Sequence, residues 1–173
     1  MRPTLLIAIA LLAAACDAQG AAPANAVAAA QLPALTGRVV DQADVIPPAR
    51  EQALTARLEA VEREAGPQFV IVTVPSLAGR SIVDYGVRLG RQWGIGDARR
   101  DDGVLLIVAP AERQVRIEVG YGLEASLRDE RCAEIIDRHI LPRFRRGDLV
   151  GGIEAGSAAI IARLRASPTR EGA

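Results

Sequence analysis

The sequence predicts an α/β protein with a mixed, mainly parallel sheet that contains one β-hairpin. Two apolar runs, residues 69–74 and 104–109, have the composition of strands that are covered on both faces. Apolar residues at helical spacing lie between them, which predicts a βαβ unit with parallel strands. The connection after residue 109 is too short for another crossover, so residues 115–119, which alternate apolar and polar side chains, form a hairpin with the second run.

Three further helices are predicted around this unit. An extended stretch at residues 36–46 precedes a helix that begins at a proline pair and ends at Gly66. A helix after the hairpin carries Cys132, expected to be buried, and His139, expected to be partly buried. The last helix begins at Asp148.

Two segments have the pattern Ser-x-x-Asp, which resembles a capping box at a helix N-terminus. The first begins at Ser81 and the second at Ser126. A serine in this position accepts a hydrogen bond from a backbone amide that the helix leaves unpaired. The sequence therefore predicts that each serine caps a helix.

Composition argues against several classes of function. A chain of 173 residues can bury one core, which predicts one domain. Its net charge of zero and its 3% aromatic content argue against nucleic-acid binding, which usually needs a basic patch or stacking residues. One histidine and two cysteines exclude a zinc site with several such ligands.

The N-terminus is predicted to be a targeting segment. Arg2 precedes an apolar stretch at residues 5–12, which is too short for a membrane span, and small residues lead to Cys16. This pattern resembles a bacterial lipoprotein signal, in which the cysteine becomes the lipidated first residue. Ordinary secretion to the periplasm is the alternative. The predicted organisation is therefore a signal peptide at 1–15, a lipidated Cys16 with a flexible tether at 16–35, a domain at 36–166 and a disordered tail at 167–173.

Acidic residues cluster in the segments that border the predicted strands. Because the hairpin is antiparallel, the end of its second strand lies beside the start of its first, so Asp101, Asp102 and Glu124 should be neighbours in space. Several carboxylate and carbonyl oxygens are what a hard divalent cation prefers. Turn formation and simple solvation are the alternative explanation. The full acidic set is Asp41, Asp44, Asp101, Asp102, Glu118 and Glu124.

Polar residues of the second hairpin strand and its bend are candidates for ligand binding. Arg116 and Glu118 share the polar face of the strand, where a solvated ion pair and a role in a site are equally consistent with the pattern. Tyr121 follows between two glycines. We expect Arg116 and Tyr121 to contact a ligand, whereas no catalytic residue is identified.

Two motifs resemble a known family. The sequence Trp-Gly-Ile-Gly at residues 93–96 and the sequence Glu-x-Gly-Tyr-Gly-x-Glu at residues 118–124 together resemble the TPM domain. That resemblance implies a three-layer α/β/α sandwich, a cell-envelope location and frequent membrane tethering. It also implies metal-associated loops, which here carry Asp44, Asp102, Glu118 and Glu124. Some members are described as calcium binders and others as acid phosphatases.

Two functional hypotheses follow. The first is a tethered envelope domain on the periplasmic side of the inner membrane that binds calcium through Asp44, Asp101, Asp102, Glu118 and Glu124 and acts through protein partners in membrane-protein maintenance. The alternative is a metal-dependent acid phosphatase in which Asp102 or Glu118 holds a cation and Arg116 binds the phosphate of a phosphomonoester.

Overall fold

A four-stranded sheet lies between two layers of helices in the computed structural model, which describes residues 32–167. This is the α/β/α arrangement that the family resemblance implies. The strands are β1 (Val39–Asp41), β2 (Gln68–Thr73), β3 (Gly103–Ala109) and β4 (Gln114–Val119). The helices are α1 (Pro48–Ala65), α2 (Ile82–Trp93), α3 (Asp129–Ile135), α4 (Leu141–Phe144) and α5 (Leu149–Ala166), and a π-helical segment, Ile136–Ile140, joins α3 to α4.

The sheet has the strand order β1-β2-β3-β4. The first three strands are parallel, and β4 is antiparallel to β3, which confirms both the predicted βαβ unit and the predicted hairpin. Leu105 lies opposite Glu118, and Val104 lies opposite Val119. The last polar residue of β4 is therefore near the amino end of β3.

Alternate side chains of each strand enter two separate cores. Val104 and Leu106 pack with α1, α3 and α5 on one face, which we call the α1 face. Leu105 and Ile107 pack with α2 on the other, which we call the α2 face. The central strand needs apolar residues at every position because both its faces are covered.

The start of the described chain is fastened to α2. Leu32 and Leu35 pack against the α2 core, and the Trp93 indole donates a hydrogen bond to the Pro33 carbonyl at 2.8 Å. The predicted signal peptide, Cys16 and most of the predicted tether and tail lie outside the described residues. None of the helices within residues 32–167 has the length and hydropathy that crossing a bilayer requires.

The two serine patterns have different outcomes. Ser81 caps α2 by accepting from the Asp84 amide at 3.1 Å, as predicted. Ser126 does not cap a helix, and that prediction was wrong. It belongs to the turn after β4, where its amide and hydroxyl both donate to the Leu123 carbonyl, and α3 begins three residues later at Asp129.

The helix after the hairpin buries its thiol but not its imidazole. Cys132 is buried, as predicted. The His139 side chain is exposed, and the expectation of partial burial was wrong. The π-helical segment that contains it changes the helical phase, so residues that a regular spacing would place inward turn toward solvent.

Candidate functional site

The β3–β4 hairpin brings the loop before β3 against the bend that follows β4. The Gly120 amide donates to the Gly103 carbonyl at 2.9 Å, which extends the antiparallel ladder by one pair. Beyond it, the Gly122 amide donates to the Asp101 carbonyl at 3.0 Å, and the Tyr121 amide donates to the Asp101 carboxylate at 3.2 Å. Asp101 is therefore held at the bend by its backbone and by its side chain.

Two glycines make this close approach sterically allowed. A Cβ atom on Gly120 would lie 2.1 Å from the Asp101 carbonyl oxygen, and one on Gly122 would lie 1.8 Å from the Arg100 carbonyl oxygen. Real Cβ atoms do not approach oxygen this closely, so a larger residue would force the loop and the bend apart. The Gly-Tyr-Gly sequence is explained by this contact.

A cleft of about 870 Å³ opens where the bend meets β4 and α2. Gly86 allows α2 to lie close to the sheet here, because a Cβ at that position would be 2.9 Å from Ile107 Cδ1. Five of the site residues predicted from the sequence line the cleft: Asp101, Arg116, Glu118, Tyr121 and Glu124. The other charged lining residues are Arg91, Arg128, Asp129 and Glu130.

Arg116 and Glu118 form an ion pair on the α2 face of β4. The Arg116 Nε atom donates to Glu118 Oε2 at 2.5 Å, and the two side chains are 30% and 21% exposed. The Glu118 carboxylate lies under α2, since a Cβ on Gly86 would be 3.1 Å from its Oε2 atom. Each charge therefore neutralises the other at the floor of the cleft.

Asp102 has a different position from its neighbour Asp101. Its side chain is 1% exposed, accepts from the Asp97 amide at 2.8 Å and pairs with Arg100 Nε at 2.8 Å. The Arg99 amide in turn donates to the Asp97 carboxylate and lowers the pKa of that group. Asp102 thus closes the loop before β3 from inside and does not line the cleft.

Asp44 and Asp41 lie at the other end of the sheet. They sit at and beyond the carboxyl end of β1, which is parallel to β3, whereas Asp101 precedes the amino end of β3. The length of the seven-residue strand β3, roughly 20 Å, separates these two ends of the sheet. Asp41 closes its own loop by accepting from the Ile46 amide at 2.7 Å and from the Thr73 hydroxyl. The structure therefore does not bring Asp44 to the cleft.

The cleft also contains residues that sequence reasoning missed. Asp129 and Glu130 line it because α3 starts beside the bend, and Gly86 and Gly90 form its wall on α2. Two glycines four residues apart on the sheet-facing side of a predicted helix were the available signal, since they allow close helix packing.

The side chains in and near the cleft limit the chemistry that it can perform. Among residues 32–167, no three His, Cys, Asp or Glu side chains are grouped closely enough to hold a metal ion by themselves. Tyr121 is 81% exposed at the rim. Burial raises the pKa of the Cys132 thiol to about 11, so that thiol is not a nucleophile at neutral pH. The arrangement is that of a cleft lined by side chains of both charges.

The fold and the cleft define an α/β/α domain whose site lies beside a sheet edge and a glycine-rich bend. The TPM domain family model matches residues 39–163, and the chain belongs to that family. No curated protein matches the chain.

Three solved structures share the fold. The N-terminal domain of a protein from P. gingivalis is 33% identical, with a TM-score of 0.73, and the match covers 80% of this chain and 88% of that one. The N-terminal domain of the cg2496 protein from Corynebacterium glutamicum is 15% identical, with a TM-score of 0.60, and the match covers 83% of this chain and 88% of that one. The BA42 protein from Bizionia argentinensis is 16% identical, with a TM-score of 0.62, and the match covers 74% of this chain and 88% of that one. The latter two show similarity of fold alone.

Proposed function

We propose that this TPM domain is held at the cell envelope by a lipid on Cys16, binds calcium in the cleft beside β4, and acts through protein partners in the maintenance of membrane proteins. The proposal rests on one observation above all. The hairpin places Asp101 against the bend that carries Glu124, and both side chains line one cleft.

Two carboxylates at a bend of exposed backbone supply the kind of oxygen ligands that calcium accepts. Asp101 and Glu124 are the proposed side-chain ligands, with carbonyl groups of the bend and water completing the coordination sphere. Glu118 lines the same cleft but is paired with Arg116, so its negative charge is already compensated. Because the site has few protein ligands, we expect it to bind calcium weakly, with a dissociation constant on the order of 1 mM.

Calcium should raise the melting temperature of the wild-type chain. A ligand that binds only the folded state, at ten times its dissociation constant, stabilises it by about 1.4 kcal/mol, which corresponds to about 5 °C for a domain of this size. The Asp101→Asn variant should lose most of this shift. Asparagine tolerates the left-handed backbone at this position (φ 47°), and its amide oxygen still accepts from Tyr121.

Asp44→Asn is the matched control for that experiment. Asp44 is exposed, has a similar left-handed backbone (φ 51°) and lies at the opposite edge of the sheet. Its variant should retain the full calcium shift, measured by differential scanning calorimetry. A wild-type chain that does not respond to calcium, or an equal shift in both variants, would remove the cation from the proposal.

The phosphatase alternative receives no comparable support. That hypothesis binds phosphate through the Arg116 guanidinium, which Glu118 engages at 2.5 Å. An anion would have to displace that carboxylate within a cleft that is also lined by Asp101 and Glu124. We therefore make the cation-binding domain our proposal.

A further inference from the structure

The outer edge of β4 presents backbone groups that nothing in the described chain pairs. β4 is the last strand of the sheet and contacts only β3 within it. The bond from the Gly120 amide to Gly103 shows that even-numbered β4 residues face β3, because hydrogen-bonded and non-hydrogen-bonded pairs alternate in antiparallel strands. The amides and carbonyls of Val115, Ile117 and Val119 therefore point away from the sheet.

These outward groups have no hydrogen-bond partner within residues 32–167. Proteins usually protect such an edge with a short strand, charged side chains, a proline, a bulge or a covering element, because it offers a template for another strand. The charges of β4, Arg116 and Glu118, are paired with each other. β4 has six residues in regular pairing with β3 and contains no proline. Unpaired backbone groups of this kind are what strand addition uses.

We propose that a second copy of this chain pairs with this edge, β4 against β4, in an antiparallel arrangement whose two-fold axis passes beside Ile117. In that register Ile117 lies opposite the partner's Ile117, and Val115 lies opposite the partner's Val119. All three outward residues then fall in hydrogen-bonded pairs, which gives about six backbone hydrogen bonds. The two sheets become one continuous sheet of eight strands.

Side-chain charge selects this register. Arg116 lies opposite the partner's Glu118, and Glu118 lies opposite the partner's Arg116, in non-hydrogen-bonded pairs whose Cα atoms are only about 4.5 Å apart. Sliding the strands by two residues in one direction places arginine opposite arginine. Sliding them in the other direction places glutamate opposite glutamate. The ion pair within β4 thereby extends into a ladder of four alternating charges.

The opposite face of the strand is also self-complementary. Val115, Ile117 and Val119 lie on the α1 face and pack at the margin of its core. The proposed pairing sets this apolar row against the same row of the partner, so both faces match without burying an unpaired charge. Since Arg116, Glu118 and Val119 line the cleft, the partner also contributes its Arg116 and Glu118 to the rim of the site.

Charge-swap variants test the pairing. In Arg116→Glu and in Glu118→Arg, every cross-strand pair at these positions has like charges, so each variant alone should dimerise at least about tenfold more weakly than the wild type. An equimolar mixture of the two should recover dimers, because each arginine of one variant then faces a glutamate of the other. Sedimentation velocity of the purified full chain over a range of concentrations measures this, with circular dichroism melts to show that each variant is folded.

Val115→Pro tests the backbone contribution without depending on charge. It removes an outward amide and leaves the bonds to β3 intact, which is the position at which an edge strand accepts proline. The variant should stay folded and become monomeric. A wild-type chain that is monomeric at all concentrations would overturn the proposal. So would dimers that all three variants retain, or a charge-swap mixture that fails to recover them.

Discussion

Asp101 and Asp102 are chemically identical neighbours with opposite surroundings. The left-handed backbone of Asp101 (φ 47°) turns its side chain toward the bend, while Asp102 points inward to Arg100 and the Asp97 amide. This difference depends on one dihedral angle that no residue pattern displays. The sequence therefore predicts that the pair lies at the hairpin end but not which member reaches the cleft.

Cys132 should be almost inert to alkylation in the folded protein. Burial, with a smaller contribution from the nearby Asp129 charge, raises the pKa of its thiol to about 11 from an ordinary value of 9.0. At pH 8 the thiolate fraction is then about a hundredfold lower than in the unfolded chain. Iodoacetamide labelling of the peptide that carries Cys132, with and without urea, measures the ratio. Equal rates in the two states would contradict the buried position.

The same thiol makes stability depend on pH in the alkaline range. The pKa of the Cys132 thiol is higher in the folded chain than in the unfolded chain. Its contribution to the free energy of unfolding is therefore fully present below pH 9 and is lost as the pH rises through about 11. Over that interval the unfolded chain releases its proton first. Urea unfolding of the Cys132→Ala variant should show a smaller decline between these two pH values than the wild type.

At the scale of elements, the two Ser-x-x-Asp segments form a matched pair for testing what a cap contributes. Ser81→Ala removes the acceptor for the Asp84 amide at the start of α2 and should lower the free energy of unfolding by about 1 kcal/mol. Ser126→Ala removes only a hydroxyl that donates to the Leu123 carbonyl, and it should cost a few tenths of that. Urea denaturation of both variants gives the comparison, and equal losses would contradict the assignment of the cap.

The hairpin could be predicted because local rules determine it. Two apolar runs, a short connection and an alternating strand specify its direction, and its direction brings Asp101 to the bend before Glu124. Asp44 belongs to the same predicted acidic set and to the loops that the family resemblance implies, but strand direction separates it from Asp101 and Glu124. A loop that follows β1 and a loop that precedes β3 lie at opposite ends of parallel strands.

At the scale of the whole molecule, the two β-α-β crossover connections have opposite handedness. The connections from β1 to β2 and from β2 to β3 step in the same direction across the sheet, yet α1 packs on one face and α2 on the other. One connection must therefore be left-handed, against the strong preference for right-handed crossovers. General topology rules applied to the sequence would have placed both helices on one face.

The proposed tether is tested on the intact chain. Expressed in a bacterial host, the wild type should fractionate with membranes, because acyl chains on Cys16 would supply the apolar burial that holds it there. Cys16→Ala should move most of the protein to the soluble fraction, whereas the control Cys132→Ala should not. A wild-type chain that is already soluble would favour secretion.

The hydrogen bond from the Trp93 indole to the Pro33 carbonyl also determines how the domain would respond to mechanical force. A pull on the N-terminal side of residue 32 reaches this bond and the packed Leu32 and Leu35 side chains before it reaches β1. Extracting those few residues would lengthen the linker while the sheet stays intact. A pull on the proposed tether would then be resisted first by these N-terminal contacts, before any strand of the sheet is separated from its neighbour.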